Sequence, residues 1–87
     1  MNICKHLIAI LNYEVSTGNS IVSIDNDAWT NAKLVITLKK PANNNYIDNT
    51  FKNNNSVEYW ENKDTHYPVQ KGYICKKCKC AIASPLE

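Results

Sequence analysis

Apolar positions along this chain come in short bursts separated by polar stretches. The cleanest burst is Ala32-Lys33-Leu34-Val35-Ile36-Thr37-Leu38-Lys39, in which Ala32, Leu34, Ile36 and Leu38 alternate with Lys33, Thr37 and Lys39. That two-residue period predicts a half-buried strand, and Pro41 stops it. Leu7-Ile8-Ala9-Ile10-Leu11, continuing into Asn12-Tyr13-Glu14-Val15, is an apolar run with β-branched members. It reads as a buried strand entering the turn Ser16-Thr17-Gly18-Asn19-Ser20, with a helix as the competing reading because Leu and Ala favour one. Ile21-Val22-Ser23-Ile24 predicts a second strand, which a Gly18-Asn19 turn would pair with the first. Asp25-Asn26-Asp27 then breaks the pattern.

Residues 43–56 are Asn-rich and low in apolar content, broken by Tyr46, Ile47 and Phe51, and read as a long loop. Val57-Glu58-Tyr59-Trp60-Glu61 fits either one helical turn capped by Ser56 or a short strand. Tyr67-Pro68-Val69 resumes an extended path, Gly72-Tyr73-Ile74-Cys75 enters a cysteine pair, and Ala81-Ile82-Ala83 is a short exit. There is no internal repeat. The chain reads as one small β-rich or α+β domain over residues 1–83, with 84–87 as a tail.

Length sharpens this. A chain of 87 residues buries a limited core, and many such chains depend on a metal, on disulfides or on a partner. Charged residues make up 21% and apolar ones 44%, a globular balance and not a disordered one. No apolar run is long enough to span a bilayer, so no membrane role is expected. Met1-Asn2-Ile3-Cys4-Lys5-His6 lacks the apolar core of a signal peptide. The four cysteines are therefore read as reduced thiols in the cytoplasm.

Two pairs of residues carry the chemistry: Cys4-x-His6 near the start and Cys75-x-x-Cys78 near the end. Three thiolates and an imidazole are a ligand set that Zn²⁺ takes in closed tetrahedral sites. A Cys-x-x-Cys turn brings both sulfurs to one side, and i,i+2 spacing on a strand would put Cys4 and His6 on one face. Cys80 is a rival ligand to His6, with a small buried apolar residue beside Ile82 as its plain reading; His66 is a weaker rival. A disulfide and a thioredoxin-like redox pair are the other readings. The second needs a helix after Cys78 for which little chain remains.

Gly72-Tyr73-Ile74-Cys75-Lys76-Lys77-Cys78 resembles the knuckle of zinc-ribbon proteins, in which an aromatic strand runs into Cys-x-x-Cys. The resemblance covers the two ligand pairs and a few residues beside the second. It implies a β-rich fold whose ends are clasped by Zn²⁺ on Cys4, His6, Cys75 and Cys78. The chain departs from that family at Lys79, where many ribbons carry Gly to permit positive φ, and in having Cys-x-His as its first pair. Small phage and mobile-element proteins often have this look, and the abundance of Asn, Lys and Ile, which have A/T-rich codons, agrees with such an origin.

The remaining constellations are weaker. Lys71, Lys76, Lys77 and Lys79 flank the second pair, with Tyr67 and Tyr73 between, and could meet nucleic-acid phosphates. Their plainer reading is solvated lysines near anionic thiolates. All ten basic residues are Lys, and the absence of Arg counts against base-specific DNA reading. Trp29 and Trp60 read as core, and an exposed aromatic would be a partner anchor. No carboxylate pair, nucleophile or glycine-rich loop supports an enzyme or a small-molecule substrate. The expectation is a non-enzymatic, zinc-stabilised interaction module that binds a host protein, such as a bacterial defence nuclease or RNA polymerase, and inhibits it. A nucleic-acid-binding zinc ribbon is the alternative.

Overall fold

A computed structural model describes residues 4–27, 32–51, 55–62 and 70–85. Along the chain lie helix α1 (Ile8–Ser16), strands β1 (Ile21–Asp27) and β2 (Ala32–Leu38), helix α2 (Asn44–Phe51), and strands β3 (Val57–Asn62), β4 (Gln70–Cys75) and β5 (Cys80–Pro85). The strands form one sheet in the order β1-β2-β5-β4-β3. Neighbours are antiparallel except β2 and β5, which run parallel. This is the expected small α+β domain, with the two cysteine-bearing ends brought together. No helix among the described residues is long and apolar enough to cross a membrane.

The alternating stretch at 32–39 is β2, as its period predicts. Residues 7–15, by contrast, lead into α1 and are not a strand. Leu7, Ile10, Leu11 and Glu14 are the buried positions, an i, i+3, i+4, i+7 stripe, while Ala9 and Val15 face solvent. Exposed apolar letters had masked that stripe. Gly18 consequently closes a helix and not a hairpin. Its φ is 99°, and its N–H donates to the Val15 carbonyl at 3.2 Å. β1 pairs with β2 instead, setting Ile24 against Ile36.

The Asn-rich segment is corrected too: within 43–56 lies α2, not a long loop. Asn43 Oδ1 accepts the Tyr46 N–H at 3.1 Å, as an N-cap does. Ile47 and Phe51, one turn apart, are buried. Buried Glu14 accepts the Asn43 N–H at 2.8 Å, and the Tyr13 and Tyr46 rings stack 3.8 Å apart and 6° from parallel. The C-terminal half of α1 thus fixes the start of α2.

Residues 57–62 resolve to a strand. The expected short exit, Ala81-Ile82-Ala83, is the middle of β5, which is buried on both faces and continues through buried Ser84 to Pro85. The tail expected from 84 is therefore partly strand. Trp29 and Tyr67-Pro68-Val69 lie outside the described residues.

Two apolar layers hold the sheet. On one face Ile36, Leu38 and Ile82 meet Leu7 just before α1, Ile10 and Leu11 of α1, and Ile47 and Phe51 of α2. On the other, Val35, Ala81 and Ala83 carry the partly buried Trp60 and Ile74. Trp60, expected in the core, is partly buried against this second layer, whereas Tyr59 is half exposed.

Candidate metal centre

β4 ends at Cys75, which pairs with Cys80 across the β4–β5 turn. The Lys79 N–H donates to the Cys75 carbonyl at 2.9 Å, closing that turn. The Cys78 N–H donates to Cys75 Sγ at 3.4 Å, so both sulfurs of the pair sit on the same side. Lys79 has φ 57°, the left-handed conformation that zinc-ribbon knuckles fill with Gly. A residue with a Cβ pays roughly 1–2 kcal/mol for it. Lys79→Gly should therefore stabilise the metal-loaded domain by about 0.5–1 kcal/mol after the greater chain entropy of Gly is subtracted. Thermal melts check this, and a lower midpoint would show that the Lys79 side chain contributes more than its backbone costs.

The first pair is built differently from expectation. Cys4 and His6 lie on a turn that opens α1, not on a strand. The Leu7 and Ile8 N–H groups both donate to the Cys4 carbonyl at 3.0 Å, folding Cys4 back over His6. Leu7, fully buried, anchors that turn in the core.

All four expected ligands converge. The His6 Nδ1 atom is 3.6 Å from Cys4 Sγ and 3.5 Å from each of Cys75 Sγ and Cys78 Sγ. Every pair of the four ligand atoms lies within 4.8 Å. A tetrahedral ion with metal–sulfur bonds of about 2.3 Å and a metal–nitrogen bond of about 2.05 Å requires nitrogen–sulfur edges of roughly 3.6 Å. The observed edges fit. These four residues could hold a metal ion.

Electrostatics separate the thiols of the cluster. Burial pushes the Cys4 thiol up to about 12, and hydrogen bonding to the Cys78 and Cys75 thiols adds to it. Burial works against ionising Cys75 as well. There the Cys78 and Lys77 N–H groups and the neighbouring thiols outweigh burial and hold Cys75 below the ordinary thiol value. The neighbours of Cys75 thus favour its thiolate form, and a cation would stabilise further negative charge on the cluster.

The rival ligands are placed elsewhere or not described. Cys80 is buried, its thiol directed at the Cys78 carbonyl 3.5 Å away, and it is not among the four converging residues. Burial pushes its thiol up, with the charge of Cys78 adding to this. His66 lies outside the described residues. Of the four lysines, Lys76, Lys77 and Lys79 are exposed on the knuckle, but Lys71 sits toward the far end of β4, opposite Ser84 and Glu61. One support was not legible in the sequence: the Lys33 N–H donates to the Lys79 carbonyl at 2.7 Å, bracing the knuckle against β2. A main-chain contact of that kind has no side-chain signature. Compared with protein-family models, with curated proteins and with solved structures, the chain matches none.

Proposed function

We propose that Cys4, His6, Cys75 and Cys78 hold a structural Zn²⁺, and that the domain so clasped is a non-enzymatic module binding a partner protein. The tetrahedral edge lengths around His6 Nδ1 carry the metal part of this reading. A set of three sulfurs and one imidazole suits Zn²⁺ better than the harder ions, which prefer oxygen. With four protein ligands no coordination position is left for water, so the ion would tie α1 to the β4–β5 knuckle and do no chemistry. In this it would act as zinc-ribbon knuckles do, although only the second ligand pair lies on a β-hairpin turn.

A protein partner is favoured over nucleic acid by the separation of Lys71 from the knuckle lysines and by the lack of Arg. A host protein inhibited by a small phage or mobile-element product is the form of binding we expect. A tagged, zinc-loaded chain incubated with bacterial lysate should retain one protein in stoichiometric amount, unaffected by nuclease and by moderate salt. Recovery that collapses with nuclease, or falls steeply with ionic strength, would replace this reading with phosphate binding by Lys76, Lys77 and Lys79.

A further inference from the structure

The two edges of the sheet are built differently. β1 meets β2 through register shifts, one between Ile21 and Ser23 and one between Asp25 and Asp27. Shifts of this kind twist an edge and spoil it as a template for another strand. β3 pairs with β4 without a shift from Val57↔Cys75 to Asn62↔Gln70. It contains neither Pro nor Lys, the residues that commonly guard an edge.

The ladder also tells which way its main-chain groups point. The Lys76 N–H donates to the Ser56 carbonyl at 2.8 Å, one register step beyond Val57↔Cys75. Hydrogen-bonded and non-hydrogen-bonded pairs alternate along an antiparallel ladder. Glu58, Trp60 and Asn62 therefore turn their N–H and C=O groups toward β4, and Val57, Tyr59 and Glu61 turn theirs to the outer edge.

Charge gives this edge a preference. Glu58, Tyr59 and Glu61 are exposed, and the carboxylates of Glu58 and Glu61 lie on opposite faces of the strand. The chain as a whole carries +2, so the edge is a local reversal of sign. The Tyr59 hydroxyl donates to Glu61 Oε2 at 2.7 Å, and its ring meets Tyr73 edge-on at 5.5 Å between centroids. The Tyr73 hydroxyl in turn donates to Asp48. These contacts hold the Tyr59 ring in place while half of the residue stays open to solvent.

We propose that the outer edge of β3 accepts an extended Lys- or Arg-bearing segment of the partner protein as a sixth strand. Its main chain pairs with Val57 and Tyr59, and its basic side chains meet Glu58 and the Tyr59 ring. This rests on the partner-protein reading above and names the surface and the chemistry it uses. A second copy of this chain fits less well, because it would bring Glu58 and Glu61 of both copies onto one short ladder.

The test is an amide-resolved NMR titration of the zinc-loaded full chain with a blocked peptide alternating Lys and Val. Shifts should concentrate at residues 57–62. N-methylation of alternate peptide residues should abolish them, and Glu58→Lys should weaken binding about tenfold or more. Equal binding by the N-methylated peptide, shifts centred on β1 or the helices, or indifference to the charge reversal would each overturn the assignment. A concentration-dependent dimer with shifts on β3 would give the edge to a second copy and overturn it as well. Lysate capture separates the two levels. A retained protein indifferent to Glu58→Lys leaves the partner reading standing and removes this one. Nuclease-sensitive recovery removes the partner reading, and the peptide titration still judges the edge.

Discussion

Chelating a metal held by Cys4, His6, Cys75 and Cys78 should unfold this domain. Structural zinc sites contribute apparent binding free energies of about 10–16 kcal/mol at neutral pH, whereas whole domains are stable by about 5–15 kcal/mol. Here the four candidate ligands come from a turn before α1 and from the β4–β5 knuckle, so an ion held there would close most of the chain into a loop. Near-UV circular dichroism should collapse on chelation and return with Zn²⁺ but not with Mg²⁺. Cys78→Ser should lose the metal, and Cys80→Ser should retain one ion per chain because Cys80 is directed at a carbonyl and not at the cluster.

The pH response should differ in sign between the two forms. In the metal-free fold Cys4 is raised from 9.0 to about 12, chiefly by burial. A thiol raised on folding contributes stability that is fully present below its unfolded value and is lost as pH climbs through the folded one. Any residual metal-free fold should therefore weaken between pH 9.0 and about 12. The loaded form needs thiolates, so protons compete with the ion and its stability falls as pH drops. A metal-free sample with unchanged near-UV signal would sink the clasp as the source of stability.

The site was more legible in the sequence than the scaffold that presents it. Residues able to ligate a metal are few, chemically distinctive and locally spaced, so the convergence of Cys4, His6, Cys75 and Cys78 could be anticipated without knowing the fold. The support for Cys4 and His6 could not. An apolar run such as 7–11 is compatible with either period until one knows that Ala9 and Val15 are left outside and that Glu14 is buried against Asn43. The helix at 44–51 had only a cap and one i,i+4 apolar pair as local signal, and it is fixed by Glu14 and Tyr13 from a distant segment. β5 was the opposite case. Its small residues looked unimportant because nothing local says that Ala81 and Ala83 lie at the centre of a sheet. Where tertiary contacts decided the outcome, propensity was silent.

The same small residues explain why Gly72→Ala should be among the most damaging single changes outside the ligands. Trp60 on β3 lies opposite Gly72, and Gly72 lies opposite Ala83 on β5. The indole packs against a layer that includes Ala81 and Ala83, which is possible because the strand between carries no side chain at Gly72. A Cβ at position 72 would fall 1.8 Å from the Ile82 carbonyl oxygen and 2.9 Å from the Trp60 ring. The nearer obstacle is backbone of the central strand, which cannot turn aside as a flexible side chain can. Overpacking of a core costs typically 1–3 kcal/mol, and this contact sits at the upper end of that range or above it. For a domain of this size a loss of about 3 kcal/mol lowers the thermal midpoint by roughly 15 °C. The knuckle begins three residues further along β4, at Cys75, and its turn does not include Gly72, so the destabilised variant should still bind metal while folded. Melts of the zinc-loaded Gly72→Ala variant measure the effect, and Trp60→Phe in the same background assigns its cause. Because the carbonyl oxygen is the closer clash, shrinking the indole should restore little. Full rescue by Trp60→Phe would place the conflict at the ring, and an unchanged midpoint in Gly72→Ala alone would refute the close approach of β4 to β5.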